Sequence, residues 1–312
     1  MASSTPQDSR VEPYQLPAEF PEIDKVRHLP GMTRELLDEI KNLPVQEGDV
    51  FVATYPKCGT TWVSEIIWQI FNDGQIDKSD IGKRVPFVEA YPLMQKKGVF
   101  INKDLTLTGL YRSVPAPRVF KTHLHHHLAP MGSDTTAKPK YINVMRNPKD
   151  CAVSMFFHCK GMEFFKCNAS WSEFFEAFIR GGVEEGLWFD HVLGWWKHHG
   201  DPNILFLKYE DMKKDLPSTV RQIASFVGRS PSEEVIARIV RQTTFDAMKD
   251  GEQFFQRKRP DFKPGFKFIR KGEVGDWRNY FTDEQSRRVD EMYTRMMAGS
   301  GLQLEFEPDD TH

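Results

Sequence analysis

The chain has 312 residues, 39% of them hydrophobic and 28% charged, a balance that supports a sizeable core and excludes a mainly disordered polymer. Lys and Arg number 42 against 44 Asp and Glu, a formal net charge of -2, so no overall field favours nucleic acid as a partner. Cys58, Cys151, Cys159 and Cys167 are the only cysteines; they are too few for a disulfide scaffold and lack the CxxC spacing of structural zinc.

No apolar run reaches the ~18 residues of a membrane span. The opening segment has neither the basic nor the apolar region of a secretory signal. The expectation is therefore a cytoplasmic protein with reduced thiols, in which the sequon Asn168-Ala169-Ser170 is a chance match. Residues 1–30 are polar and Pro-rich and read as an irregular arm; residues 31–312 read as one domain.

In chain order, the β-branched and aromatic run Asp49–Thr54 predicts a strand, and a Pro-Lys-Cys-Gly turn leads from it into a helix over Thr61–Phe71, ended near Asn72-Asp73-Gly74. Arg118–Thr122 and Tyr141–Met145 predict two more strands. Asn147-Pro148 then starts a helix through Cys151 to Lys160, with Pro at a first-turn position where its missing N–H costs nothing. Helices are predicted over Ser170–Arg180 and Val183–His199, a fourth strand over Asn203–Tyr209, and helices over Leu216–Val227, Ser232–Arg241 and Asp283–Met297. Short apolar strands alternating with helices predict an α/β fold with a central parallel sheet flanked by helices. The segment 249–277 follows neither period. It is rich in Phe, Lys, Arg, Pro and Gly, with eight Lys or Arg between Lys249 and Lys271, and reads as a basic loop that covers a bound nucleotide.

Ligands of open parallel sheets bind beyond the carboxyl ends of the strands. The residues that follow the strands are Lys57, Thr60 and Thr61 after the first, Lys121 and His123 at the second, Arg146 after the third, and Tyr209 and Glu210 after the fourth. Three successive strands thus bring cations to one rim, which is an anion site. The turn Tyr55-Pro56-Lys57-Cys58-Gly59-Thr60-Thr61-Trp62 adds backbone N–H groups and a positive helix end. It is not a Walker A loop, because Lys precedes Gly, and no Mg²⁺-holding carboxylate follows a hydrophobic strand. His123 is a candidate base beside a cation. His125, His126 and His127 follow it, but no carboxylate or thiolate partner for a metal is evident, so no metal is expected. Arg146, with Ser154 on the following helix, can clamp a second phosphate.

Together these segments resemble the cytosolic sulfotransferases. YPKCGTTW resembles the family's 5′-phosphosulfate loop, FKTHL the strand end with the catalytic His, RNPKDCAVS the 3′-phosphate clamp and RKGEVGDW the C-terminal nucleotide loop. ILFLKYEDM and QTTFDAM also match, and the resemblance runs from about residue 45 to 295 with its motifs in order. It implies a P-loop-like nucleotide-binding architecture, the donor 3′-phosphoadenosine 5′-phosphosulfate (PAPS), and the product adenosine 3′,5′-bisphosphate (PAP). The sulfuryl group would pass to the hydroxyl or amine of a small acceptor, a phenol or aromatic amine.

By the resemblance, Lys57, Cys58, Gly59, Thr60, Thr61 and Trp62 hold the 5′-phosphosulfate end and adenine. Arg146, Ser154, Arg270, Lys271 and Gly272 hold the 3′-phosphate, and Tyr209, Thr243, Phe245, Met248 and Phe268 complete the donor site. His123 takes the acceptor's proton, Lys57 and Lys121 stabilise developing charge, and Ser154 holds Lys57 back until the acceptor arrives. Phe87, Lys121, His123 and His158 bind the acceptor. Tyr91, Met162, Phe164, Phe254 and Phe255 are further candidate walls, and Glu89 and Glu163 are candidates to pair with an acceptor amine. A homodimer is open, since the family's dimer segment Lys-x-x-x-Thr-Val-x-x-x-Glu keeps here only Arg278 as a cation and Thr282. The competing functions are a nucleotide kinase-like phosphotransferase and a catalytically silent nucleotide-binding module.

Overall fold

The computed structural model describes residues 11–96, 106–132, 138–250 and 261–307. Its centre is a parallel sheet of four strands, β3 (Val50–Thr54), β4 (Val119–Thr122), β5 (Lys140–Met145) and β6 (Ile204–Lys208), in the order β4-β3-β5-β6. Val50 lies in register with both Val119 and Lys140, and Tyr141 with Ile204. All four carboxyl ends therefore open on one rim.

The strands are apolar on both faces because helices cover both. Val50, Val52, Val119, Ile142, Val144 and Leu207 face one way and pack with Val63, Ile66 and Ile67 of α2 (Thr60–Phe71) and Ile223 of α10 (Leu216–Phe226). Phe51, Ala53, Phe120 and Tyr141 face the other way, onto Leu37 and Ile40 of α1 (Arg34–Lys41) and Trp195 of α8 (Trp188–Trp196). Alternate residues of each strand thus enter different cores, as strand geometry requires. At the opposite end of the sheet, Arg118 grips Asp49 with two bonds of 2.6 Å, both side chains being buried.

The remaining helices are α3 (Ile81–Arg84), α4 (Tyr91–Lys96), α5 (Leu107–Ser113), α6 (Pro148–Gly161), α7 (Trp171–Ile179), α9 (Tyr209–Lys214), α11 (Glu233–Gln242), α12 (Phe245–Asp250) and α13 (Asp283–Met297). Among the described residues no helix is long and apolar enough to cross a membrane. Three elements differ from expectation. The predicted helix over 183–199 starts only at Trp188, because Glu185 and Gly186 adopt φ of 60° and 70°, left-handed values that no α-helix passes through. Tyr209 opens α9 rather than closing the fourth strand. The first residues described contain a small hairpin, β1 (Glu22–Ile23) and β2 (Val26–Arg27), and its neighbour Phe20 is fully buried.

Candidate active site

The rim is built by what each strand delivers. After β3 the chain turns through Lys57, at φ 72°, and Gly59, at φ 110°, before entering α2. A left-handed lysine is costly and marks a turn held by its surroundings. Glycine suits position 59, where φ of 110° strains any side chain and a Cβ would press to 3.1 Å from the Tyr209 ring. No described side chain caps α2 at its amino end, and Gly59, Thr60 and Thr61 line the cavity. The first-turn N–H groups are thereby left for an anion. Cys58 departs from the set of expected donor residues: its thiol is buried under the loop, 3.7 Å from that of Cys151, and it does not line the cavity.

One cavity of about 250 Å³ gathers the other residues expected to hold the donor, together with Phe87, Lys121, His123 and His158. At its centre Lys57 Nζ lies 3.4 Å from His158 Nδ1 and 4.0 Å from the centroid of the Phe268 ring; no bond to Ser154 accompanies these contacts among the described residues, although Ser154 lines the same space. Burial brings the Lys57 ammonium down to about 8. Lys121, on β4, lies with its Nζ 4.9 Å from the centroid of the Phe87 ring.

His123 follows β4 directly. Its Nδ1 is 2.8 Å from the Thr54 carbonyl oxygen and 3.2 Å from Thr54 Oγ1, which in turn bonds Thr60 Oγ1 at 2.6 Å. Its main-chain N–H donates to Glu89 Oε1, as do Thr122 Oγ1 and the Leu124 N–H, and His191 Nε2 bonds its carbonyl at 2.9 Å. Phe87 packs edge-on against the ring, with centroids 4.9 Å apart. Burial, with Lys121 and Lys57 adding to it, holds the imidazole down to about 3. The neighbouring histidines turn elsewhere: His125 bonds the Glu185 carbonyl, and His126 stacks on His198. Among the described residues no group of three or more His, Cys, Asp or Glu is placed to hold a metal ion.

At the other end, Arg146 lies over the Tyr209 ring, 4.3 Å from its centroid, and donates from Nη2 to the Glu273 carbonyl at 2.9 Å; its buried Nε has no partner among the described residues. Such an unused buried donor fits a further anionic ligand. Asp150 on α6 accepts the N–H groups of Gly275 and Trp277 at 2.8 and 3.0 Å, which fixes the turn after Arg270-Lys271-Gly272. Arg270 and Lys271 both pair with Asp276 at 2.5 Å. Gly272, at φ 67°, leaves no room for a Cβ, which would fall 2.3 Å from the Phe245 ring. Trp62 Nε1 donates to the Thr243 carbonyl at 2.8 Å and its ring meets Tyr209 edge-on. Thr243, Phe245 and Met248 line this end of the cavity.

Of the candidate acceptor walls, Phe87, His158, Met162 and Phe164 line the cavity. Tyr91 packs instead in the core under α1, and Glu89 is committed to the main chain around His123. Glu163 does not reach the cavity, and Phe254 and Phe255 lie outside the described residues. Sequence reasoning missed Leu29, Lys213, Asp80-Ile81-Gly82 at the start of α3, and Glu184, which all line it. The signal for Glu184 was present: Glu184-Glu185 interrupts an apolar stretch between Val183 and Leu187.

A parallel sheet that presents fixed cations, an uncapped helix end and a half-buried histidine around one cavity defines an enzyme of anionic group transfer. The particular class follows from comparison with known proteins. The Sulfotransferase domain model matches residues 47–301, and the chain belongs to that family. It is 37% identical over 273 residues to Sulfotransferase 1C2 of Oryctolagus cuniculus, covering 85% of this chain and 88% of the relative. It is 38% identical over 285 residues to the Amine sulfotransferase of the same species, covering 88% and 89%. The solved structure of retinol dehydratase in complex with retinol and PAP matches with a TM-score of 0.76 at 30% identity, over 87% of this chain and 88% of that one. The protein is a PAPS-dependent sulfotransferase.

Proposed function

We propose that the enzyme works in the cytosol on small acceptors, phenols or aromatic amines, with His123 as the general base. The bond from His123 Nδ1 to the Thr54 carbonyl carries this assignment. A carbonyl oxygen only accepts, so Nδ1 holds the ring proton and Nε2 keeps its lone pair for the acceptor's hydroxyl. PAPS supplies an activated sulfuryl group on a phosphate leaving group. As the acceptor oxygen bonds to sulfur and the bridging bond to the 5′-phosphate breaks, the hydroxyl proton passes to Nε2. Lys57 and Lys121 stabilise charge on the sulfuryl and departing phosphate oxygens.

The first-turn N–H groups of α2, with Thr60 and Thr61, take the 5′-phosphosulfate. Arg146, Ser154, Arg270, Lys271 and Gly272 take the 3′-phosphate, and Trp62, Tyr209, Thr243, Phe245, Met248 and Phe268 enclose the adenosine. Phe87 and His158 wall the acceptor. The retinol of the neighbour, an alcohol, and the amine of the rabbit relative's name support small organic acceptors that bear a hydroxyl or an amine.

Transfer of labelled sulfate from PAPS, with EDTA present, to a panel of a phenol, a catecholamine, a flavonoid and a steroid alcohol tests the proposal. Labelled product from the phenol or catecholamine is expected. Mg²⁺-dependent transfer from ATP would favour a kinase-like enzyme, and PAP binding with no transfer a silent binding module.

A further inference from the structure

Among the described residues, two carboxyl side chains line the cavity, Asp80 and Glu184. Asp80 is occupied, since it accepts the Gly82 N–H at 2.7 Å and caps α3. Glu184 is only 4% exposed, and its carboxyl makes no hydrogen bond or ion pair with a described residue. Its backbone is firmly placed. It forms an isolated parallel bridge with Arg27, and the next N–H, that of Glu185, donates to the Arg27 carbonyl at 2.8 Å. Glu185 itself is pinned by His28 at 3.1 Å.

The cavity's walls differ from end to end. Leu29, Ala90 and Met162, with Phe87 and Phe164 packed on them, belong to one apolar cluster, whereas Trp62, Tyr209 and Met248 at the donor end belong to another. Leu29 stands two residues beyond the Arg27 bridge, which sets Glu184 against the first cluster. An isolated carboxyl on an apolar wall is costly to ionise unless a cation meets it. Burial, then the nearby Glu185 and Glu89, pushes it up to about 8, while Lys57 and Lys121 act on it through space in the opposite sense. Those two lysines are assigned above to the donor's phosphosulfate, so a cation that draws Glu184 into its charged form must come from elsewhere.

We infer that Glu184 is the counter-ion for an ammonium group on the acceptor, so that the preferred acceptors carry a basic amine in addition to the hydroxyl that is sulfated. This rests on the hydroxyl transfer proposed above. Tyramine and 4-ethylphenol share one phenolic skeleton and differ by that amine, which makes them the probes. In the full-length enzyme the ratio of kcat/KM for tyramine over 4-ethylphenol is expected to fall by about tenfold or more in Glu184→Gln, the usual scale for a charge-assisted contact. Glu184→Asp, which keeps the charge, is expected to retain more of that ratio. An unchanged ratio in Glu184→Gln overturns the inference.

Calorimetric binding of both phenols to the PAP-loaded wild-type protein gives a second readout that needs no variant and no turnover. Tighter binding of tyramine is expected, and equal binding overturns the inference. Sulfation of both phenols without preference would refute the role of Glu184 alone. Binding of both with sulfation of neither would refute the proposed transfer, leaving the binding preference to decide on Glu184.

Discussion

The carbonyl oxygen of Thr54 lies 2.8 Å from Nδ1 of His123, joining the ends of two adjacent parallel strands. The same threonine bonds Thr60 through its hydroxyl, so His123 and the start of α2 share one anchor. Burial, ahead of the nearby lysines, keeps the imidazole neutral to about 3. The sign is favourable for a base, because a depressed value leaves the proton-accepting form in place as pH falls. In the donor-free protein the His123 ring is expected to stay neutral, with the proton on Nδ1, from about pH 8 to about pH 5, where an ordinary histidine would charge. Ring-nitrogen NMR checks this, and a midpoint near pH 6.5, the usual value, would contradict it.

Lys57 sets a limit on the alkaline side. Its ammonium is lowered to about 8, first by burial and then by Lys121 and Arg146 against the opposing thiols. An anionic ligand binds the charged form, so PAP affinity is expected to be level below about pH 7 and to decline above about pH 8, by no more than ~10-fold per pH unit for one proton. Lys57→Arg remains charged and should remove this decline. An equal decline in that variant, measured by calorimetry, would place the titration elsewhere.

Arg146 has a buried Nε without a described partner, beside the Nη2 that holds Glu273. Its removal should weaken PAP binding by ~1.5–3 kcal/mol, the range for a hydrogen bond to a charged group. Adenosine 5′-phosphate, which lacks the 3′-phosphate, should lose far less between wild type and Arg146→Ala. Equal losses for the two nucleotides would disconnect Arg146 from the 3′-phosphate.

Asp150 acts on the same end through the backbone. It is buried and accepts two main-chain N–H groups, from Gly275 and Trp277. Asp150→Ala leaves both unsatisfied, at ~1–3 kcal/mol for each buried donor, so urea denaturation should show a clear loss of stability. PAP affinity should fall with it, since Arg270 and Lys271 are held through Asp276 in that turn. Stability lost with PAP affinity intact would mean that the turn does not position the loop.

Much of this arrangement was legible in local sequence. Val50–Thr54, Val119–Thr122, Lys140–Met145 and Ile204–Lys208 are short apolar runs bounded by turns, and helices follow three of them, a pattern that points to a parallel sheet. The motifs at Lys57–Trp62, Lys121–His123, Arg146 and Tyr209 were legible for the same reason: each directly follows a strand, so residue order brings it to the rim, whereas Thr243–Met248 and Arg270–Gly272 follow helix and loop and were placed only by the resemblance. What escaped depends on contacts between distant segments. The strand order and the Asp49–Arg118 pairing, 69 residues apart, carry no local pattern. Helices α3, α4 and α9, of four to six residues, are too short to show a period. The left-handed pair Glu185-Gly186 is held from the hairpin by His28, and it cut short a helix whose apolar pattern runs on. The Glu184-Glu185 pair showed as a break in an apolar stretch, but its place in the cavity did not, because that depends on the bridge to Arg27, 157 residues earlier in the chain.

The most direct test of the central claim is single-turnover transfer of labelled sulfate from saturating PAPS to 4-ethylphenol, comparing the wild-type enzyme with His123→Ala alongside PAP affinity. Loss of the base predicts a rate lower by ~10²-fold or more with PAP affinity nearly unchanged, since the effect falls on the chemical step. Transfer at the wild-type rate by His123→Ala would contradict the assignment of His123 as the base.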